Sequence, residues 1–135
     1  MDQVRFDAIR LARSPRIGPI SYRQLLTRFG SASAALAALP DLARRGGRAT
    51  EVASERAIVA EVEAAERLGA CWLIWGDADY PALLAETEDA PPVMTYRGDI
   101  ALASLSCVAM VGARNASAAA CRFADCSNVS PRRWK

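Results

Sequence analysis

The residues best suited to chemistry are Gly112-Ala113-Arg114-Asn115-Ala116-Ser117, which follow the apolar run Val108 to Val111. A short strand that ends at a glycine and turns into a helix brings several backbone N–H groups to one point. Those groups, with the helix dipole behind them, attract an anion. Gly112 would let the backbone approach a ligand closely. Arg114 can grip a phosphate through two parallel hydrogen bonds. Ser117 can cap the helix or donate to the same phosphate. Gly112, Ala113, Arg114, Asn115 and Ser117 are therefore the candidate phosphate contacts. The pattern is not G-x-G-x-x-G and no P-loop lysine follows, which disfavours a dinucleotide or ATP site. A plain strand-to-helix connection with a solvent-facing arginine is the competing reading.

A second candidate lies in Ser14-Pro15-Arg16-Ile17-Gly18-Pro19-Ile20. Apolar-Gly-x-apolar between short helices is the pattern of a helix-hairpin-helix turn. There the amides at the next helix start can meet a DNA phosphate, reading backbone rather than sequence. Arg16, Ile17, Gly18 and Ile20 would make that contact. Pro19 lacks an N–H, so one donor is missing. The competing reading is a tight helix–helix connection with no ligand.

Other chemistries find little support. The chain has no histidine, which removes the commonest general base and the Ser-His and Cys-His nucleophile pairs. Cys71, Cys107, Cys121 and Cys126 form no C-x-x-C pair, so neither a zinc site nor any other metal site is expected. Cys71 and Cys107 sit in apolar runs and read as small buried residues. Asp77, Asp79, Glu86, Glu88 and Asp89 match no calcium loop and read as a solvated acidic surface. Trp72 and Trp75, three apart on an expected strand, would face opposite ways and form no single stacking platform. No catalytic residue and no cofactor is assigned.

The elements that must position these turns follow from periodicity. Val4, Ala8 and Leu11 predict a first helix. Tyr22, Leu25, Leu26 and Phe29 predict a second, stopped by Gly30. Ser31 can cap a third helix carrying Leu36 and Leu39. Pro40 suits the first turn of a short fourth helix, ended by Gly46-Gly47. Residues 51–68 read as one longer helix, with Ile58, Val62 and Ala65 on its apolar face and Gly69 as its stop. Cys71 to Trp75 reads as a strand, Tyr80 to Leu84 as a helical turn and Val93 to Tyr96 as a second strand. Ile100 to Leu105 reads as a short helix, Cys107 to Val111 as a third strand and Ala116 to Ala124 as a last helix. Residues 125–135 lose the apolar period and read as a disordered tail.

The 135 residues are 52% hydrophobic, enough to bury a core. The net charge of +2 hides a split: residues 1–48 carry +6, residues 49–90 carry −8 and residues 91–135 carry +4. Basic segments of this kind can meet phosphates, or simply solvate helix faces. No apolar run approaches a membrane span, and Met1 to Arg5 lacks a signal-peptide pattern, so a cytoplasmic protein without membrane contact is expected.

Taken in order, several stretches resemble one known family, the bacterial DNA-processing proteins DprA, also called Smf. They are Ile17-Gly18-Pro19, Phe29-Gly30-Ser31, Trp75-Gly76-Asp77-Ala78-Asp79-Tyr80-Pro81, Leu83-Leu84, Ala90-Pro91-Pro92-Val93, Tyr96-Arg97-Gly98-Asp99 and Val108 to Ser117. The resemblance implies an α/β chain. Residues 1–69 would form a small helical domain, SAM-like or helix-hairpin-helix-like. Residues 70–124 would be the incomplete start of a Rossmann-like domain with a parallel sheet, and residues 125–135 an aberrant tail. It implies single-stranded DNA binding and help in loading the RecA recombinase during natural transformation, without enzymatic activity. Gly112, Arg114 and Ser117 would then belong to the DNA pocket. The family's second glycine-arginine motif and later strands do not follow here, so the expectation is a truncated or frameshifted form with impaired activity, its dimer and RecA surfaces lost. Two alternatives stand beside this one: a stand-alone helical module contacting DNA or protein, and a fragment of a Rossmann-like nucleotide-processing enzyme.

Overall fold

The computed structural model describes residues 1–45, 51–106 and 111–128. The chain divides into two compact units, Met1–Leu105 and Ser106–Lys135.

The first unit begins with four helices. α1 spans Gln3–Arg13, its first turn closed by Asp2, whose carboxylate accepts from the Arg5 N–H at 2.8 Å. α2 spans Pro19–Phe29 and stops at Gly30, which takes the left-handed conformation (φ 78°) that only glycine adopts cheaply. α3 spans Ala32–Arg45, its start held by Ser31, whose Oγ accepts from the Ala34 N–H at 3.1 Å. α4 spans Glu55–Arg67, with Ser54 as its cap and Gly69 (φ 65°) just beyond its end.

Three helical expectations need correction. Pro40 does not open a fourth helix; it lies inside α3, which runs through it. Leu36 before it and Leu39 beside it are buried. Burial of that apolar stripe outweighs the local cost of proline in a helix. The helix expected over residues 51–68 begins only at Glu55, because Ser54 caps it. Val4 is 78% exposed, so the buried face of α1 is carried instead by Ala8, Ile9 and Leu11. The expected Gly46-Gly47 stop lies outside the described residues.

The helices lead into a hairpin. β1 spans Cys71–Ile74, a single-turn helix α5 spans Ala82–Ala85 and β2 spans Val93–Tyr96. A short 3-10 helix follows at Ile100–Ser104, where Asp99 accepts from the Ala101 N–H. β1 and β2 pair antiparallel, Cys71 opposite Tyr96 and Ile74 opposite Val93. The α/β class stands, but the strand pair described is antiparallel where a parallel one is expected. The connection from Trp75 to Pro92 holds only one helical turn, too little helix to carry the chain back across a sheet face. Cys71 is exposed rather than buried, because the strand begins there outside the core. The expected third strand falls mostly outside the described residues: Cys107 and residues 108–110 are not described, and Val111 is 96% exposed.

One core joins helices and hairpin. Ile9, Leu11, Tyr22, Ala35, Leu39 and Ile58 pack with Trp72, Ile74 and Val93. α1 lies at its centre, in contact with α2, α3, α4 and both strands. Leu73 points to the other face of β1 and is also buried. The Trp72 indole N–H is buried without a hydrogen-bond partner among the described residues.

In the second unit, α6 spans Ala118–Asn128. It runs past the expected end at Ala124 and takes in the first residues of the expected tail. Residues 129–135 lie outside the described residues.

Candidate nucleic-acid interface

The Gly112–Ser117 turn has a simple local geometry. Residues 111 to 122 are all exposed. Arg114 and Asn115 form the turn itself. Ser117 Oγ accepts from the Ala120 N–H at 3.2 Å, and Ser117 O accepts from the Cys121 N–H at 3.0 Å. Ser117 is thus the helix cap, one of its two expected roles. Gly112 does not use a positive φ, and a Cβ there would meet nothing within 4 Å among the described residues. Its backbone is open to approach without needing an unusual conformation.

The turn between α1 and α2 takes its sharpest backbone bend ahead of Gly18. Gly18 is extended (φ −86°, ψ 178°) and precedes the helix, with its carbonyl accepting from the Tyr22 N–H at 2.9 Å. The positive φ falls on Arg16, at 66°. The Ile17 N–H donates to Ser14 O at 3.2 Å, closing a four-residue turn with Pro15 second and Arg16 third. Proline second and a positive φ third define a type II turn, which favours glycine at the third place. Here an exposed arginine occupies it. Of the four residues expected to make the contact, Arg16, Gly18 and Ile20 are exposed and Ile17 packs on the core.

The basic N-terminal segment is largely committed to its own unit. Arg5 donates from Nη1 to Asp77 Oδ1 at 3.0 Å and from Nη2 to Trp72 O at 2.8 Å. Arg10 donates to Ala53 O at 2.8 Å and pairs with Glu55 at 2.6 Å. Arg13 pairs with Glu61 at 2.9 Å. Arg23 donates to the carbonyls of Thr87 and Glu88 and lies over the Trp75 ring, 5.9 Å from its centre. Arg44 pairs with Asp41. Ser14, buried, donates to Arg10 O and accepts from the Ala53 N–H, fixing the segment before α4 against α1.

Asp77 does not lie on the solvated surface that its acidic neighbours suggest. It is half-buried: Oδ1 meets Arg5, while Oδ2 accepts from the Ile74 N–H at 2.9 Å. Its own N–H donates to Ile74 O at 2.9 Å, across Gly76 at φ 98°. Tyr80 completes the knot, its hydroxyl donating to Pro91 O at 2.8 Å. Burial raises the Tyr80 pKa, an effect partly opposed by Arg23. Burial, followed by the nearby Asp77 carboxylate, pushes the Tyr22 hydroxyl up to about 12. The residue types identify the Gly76-Asp77 turn but give no signal that Arg5, 72 residues earlier, closes it. Among the described residues no three acids or cysteines gather as a metal site, and no helix is long and apolar enough to cross a membrane.

These features define an α/β protein whose helical hairpin module leads into a small antiparallel strand pair. Residues 2–64 match the DprA-like N-terminal HHH domain, and residues 71–129 match the DNA recombination-mediator protein A family. The chain belongs to the DprA family. No individual curated relative matches it significantly.

Proposed function

We propose that the protein binds single-stranded DNA through the phosphate backbone and assists a RecA-type recombinase during DNA uptake and recombination. It acts as a binding protein in the cytoplasm and catalyses no reaction. The observation that carries this reading is the exposed turn at Arg114-Asn115, set directly before the Ser117-capped start of α6. An anion there meets exposed amides, the positive helix end and a guanidinium together. The family match favours DNA as the source of that anion. Contacts to phosphate give affinity without reading sequence, as a mediator of recombination requires.

The test is fluorescence anisotropy with labelled oligo-dT and a duplex of equal length over a range of salt. Oligo-dT should bind more tightly. Arg114→Ala should weaken it about tenfold and reduce the salt slope by about one, since one phosphate contact is lost. If Arg114→Ala leaves oligo-dT binding intact while Arg16→Ala abolishes it, the helical hairpin is the interface instead. Release of base from a nucleoside monophosphate would favour the enzyme alternative.

A further inference from the structure

Asp7 is a carboxylate on α1 that the fold buries and only half uses. It is 8% exposed. Gln3 Nε2 donates to its Oδ1 at 2.7 Å, while Oδ2 makes no hydrogen bond among the described residues. A buried charge with an idle oxygen is costly unless a cation or donor meets it. Asp7 lines a cleft of about 360 Å³ between α1 and α3, at the lower end of the range for small-molecule sites. The α3 wall is Ser33, Leu36, Ala37 and Pro40, whose i, i+3, i+4, i+7 spacing forms one stripe. Val52 adds an apolar side.

We propose that this cleft binds a primary ammonium group carried on a short alkyl stem. The polar groups that line it are chiefly acceptors. Beside Asp7 Oδ2 stands Ser33 Oγ, which has no hydrogen-bond partner among the described residues. Pro40 has no N–H to give the Leu36 carbonyl, so the helix leaves an acceptor uncovered on the same stripe. An ammonium carries three N–H donors and no acceptor, matching a carboxylate, a hydroxyl and a carbonyl. Arg10 also lines the cleft, but its charge is answered by Glu55 at 2.6 Å and its Nε by Ala53 O. Asp7, Arg10 and Glu55 therefore sum to −1, which favours a cation and disfavours a phosphate. The apolar surface of Leu36, Ala37, Pro40 and Val52 suits the stem.

Amide shifts of the full chain, followed by NMR, test this without DNA, so the outcome stands apart from the DNA-binding reading. The Asp7, Ser33 and Ala37 amides should shift saturably with n-butylammonium chloride, at a Kd of about 1 mM. Potassium chloride at equal ionic strength should not move them. Asp7→Asn keeps an acceptor for Gln3, removes the charge and should weaken binding about tenfold or more. Ala37→Leu, at an exposed helix position, fills the cleft without touching the carboxylate. It should weaken binding similarly and keeps the test valid if Asp7→Asn fails to fold. Nα-acetyl-lysinamide binding as tightly as n-butylammonium assigns the amine to a lysine side chain of a protein partner, and weaker binding assigns it to a free small amine. Absence of a saturable shift with either amine overturns the proposal. So do equal shifts with potassium chloride, and so does n-butylammonium binding that both variants leave intact.

Discussion

Tyr22 shows how one side chain couples the two halves of the first unit. It is 1% exposed on α2, yet the charge it senses most is Asp77 beside the hairpin. Its hydroxyl ionises near 10 when unfolded and near 12 when folded. A group whose folded pKa is raised stabilises the fold below its unfolded pKa and loses that contribution as pH climbs toward the folded value. Between pH 8 and pH 11 the native state should lose about 1.4 kcal/mol through Tyr22. Urea unfolding at the two pH values, wild type against Tyr22→Phe, isolates this share; equal losses in both proteins would contradict it. Arg16 gives a second prediction at this scale. A non-glycine residue in the left-handed region carries strain of about 1–2 kcal/mol. Arg16→Gly should raise stability by up to about 1 kcal/mol after the added chain entropy, whereas Arg16→Ala should not. Thermal unfolding of the pair separates backbone strain from the loss of charge.

At the level of elements, the hairpin depends on Asp77 more than its ion pair suggests. The Arg5 and Asp77 side chains are 32% and 26% exposed, and such pairs alone contribute little. The stronger dependence runs through the Ile74 N–H, whose hydrogen-bond acceptor is Asp77 Oδ2. Asp77→Ala should cost about 1–3 kcal/mol in urea unfolding. Asp77→Asn keeps an acceptor and should cost clearly less; equal costs would assign the effect to charge. The elements themselves are largely legible in the residues. Leu25, Leu26 and Phe29 at helical spacing, Gly30 as a stop, Ser31 as a cap and the strand at Val93–Tyr96 all follow from local rules. Pro40 misleads because its penalty is local, while the burial of Leu39 that overrides it is tertiary. Strand direction cannot be read from residue types, since alternation is the same in parallel and antiparallel pairs. At the Gly112–Ser117 turn, the serine cap is legible from spacing. At the hairpin turn, glycine is the usual bearer of a positive φ, which points to Gly18; the chain instead puts that backbone on Arg16.

Across the whole molecule, charge composition and charge use part company. The +6 of residues 1–48 suggests a surface waiting for an anion. Arg5, Arg10, Arg13, Arg23 and Arg44 instead hold carboxylates or carbonyls of the same unit. The family boundary between residues 64 and 71 is therefore no folding boundary, since Arg5 and Arg23 cross it and one core spans it. The core amides of α1 and of β1 should exchange through a single opening, with matching free energies. Hydrogen exchange in mild denaturant checks this. If β1 amides open at much lower denaturant than those of α1, the two parts fold independently.

The span between Arg5 and Asp77 also has a consequence in time. During synthesis at about 5–20 residues per second, roughly 4–14 s separate the two residues. Over most of that interval α1 is already synthesised while the partners of Arg5, and for much of it those of Arg10 and Arg13, are still unmade. The nascent helices are then at their most cationic, because the acids that will pair with their arginines have not yet been added.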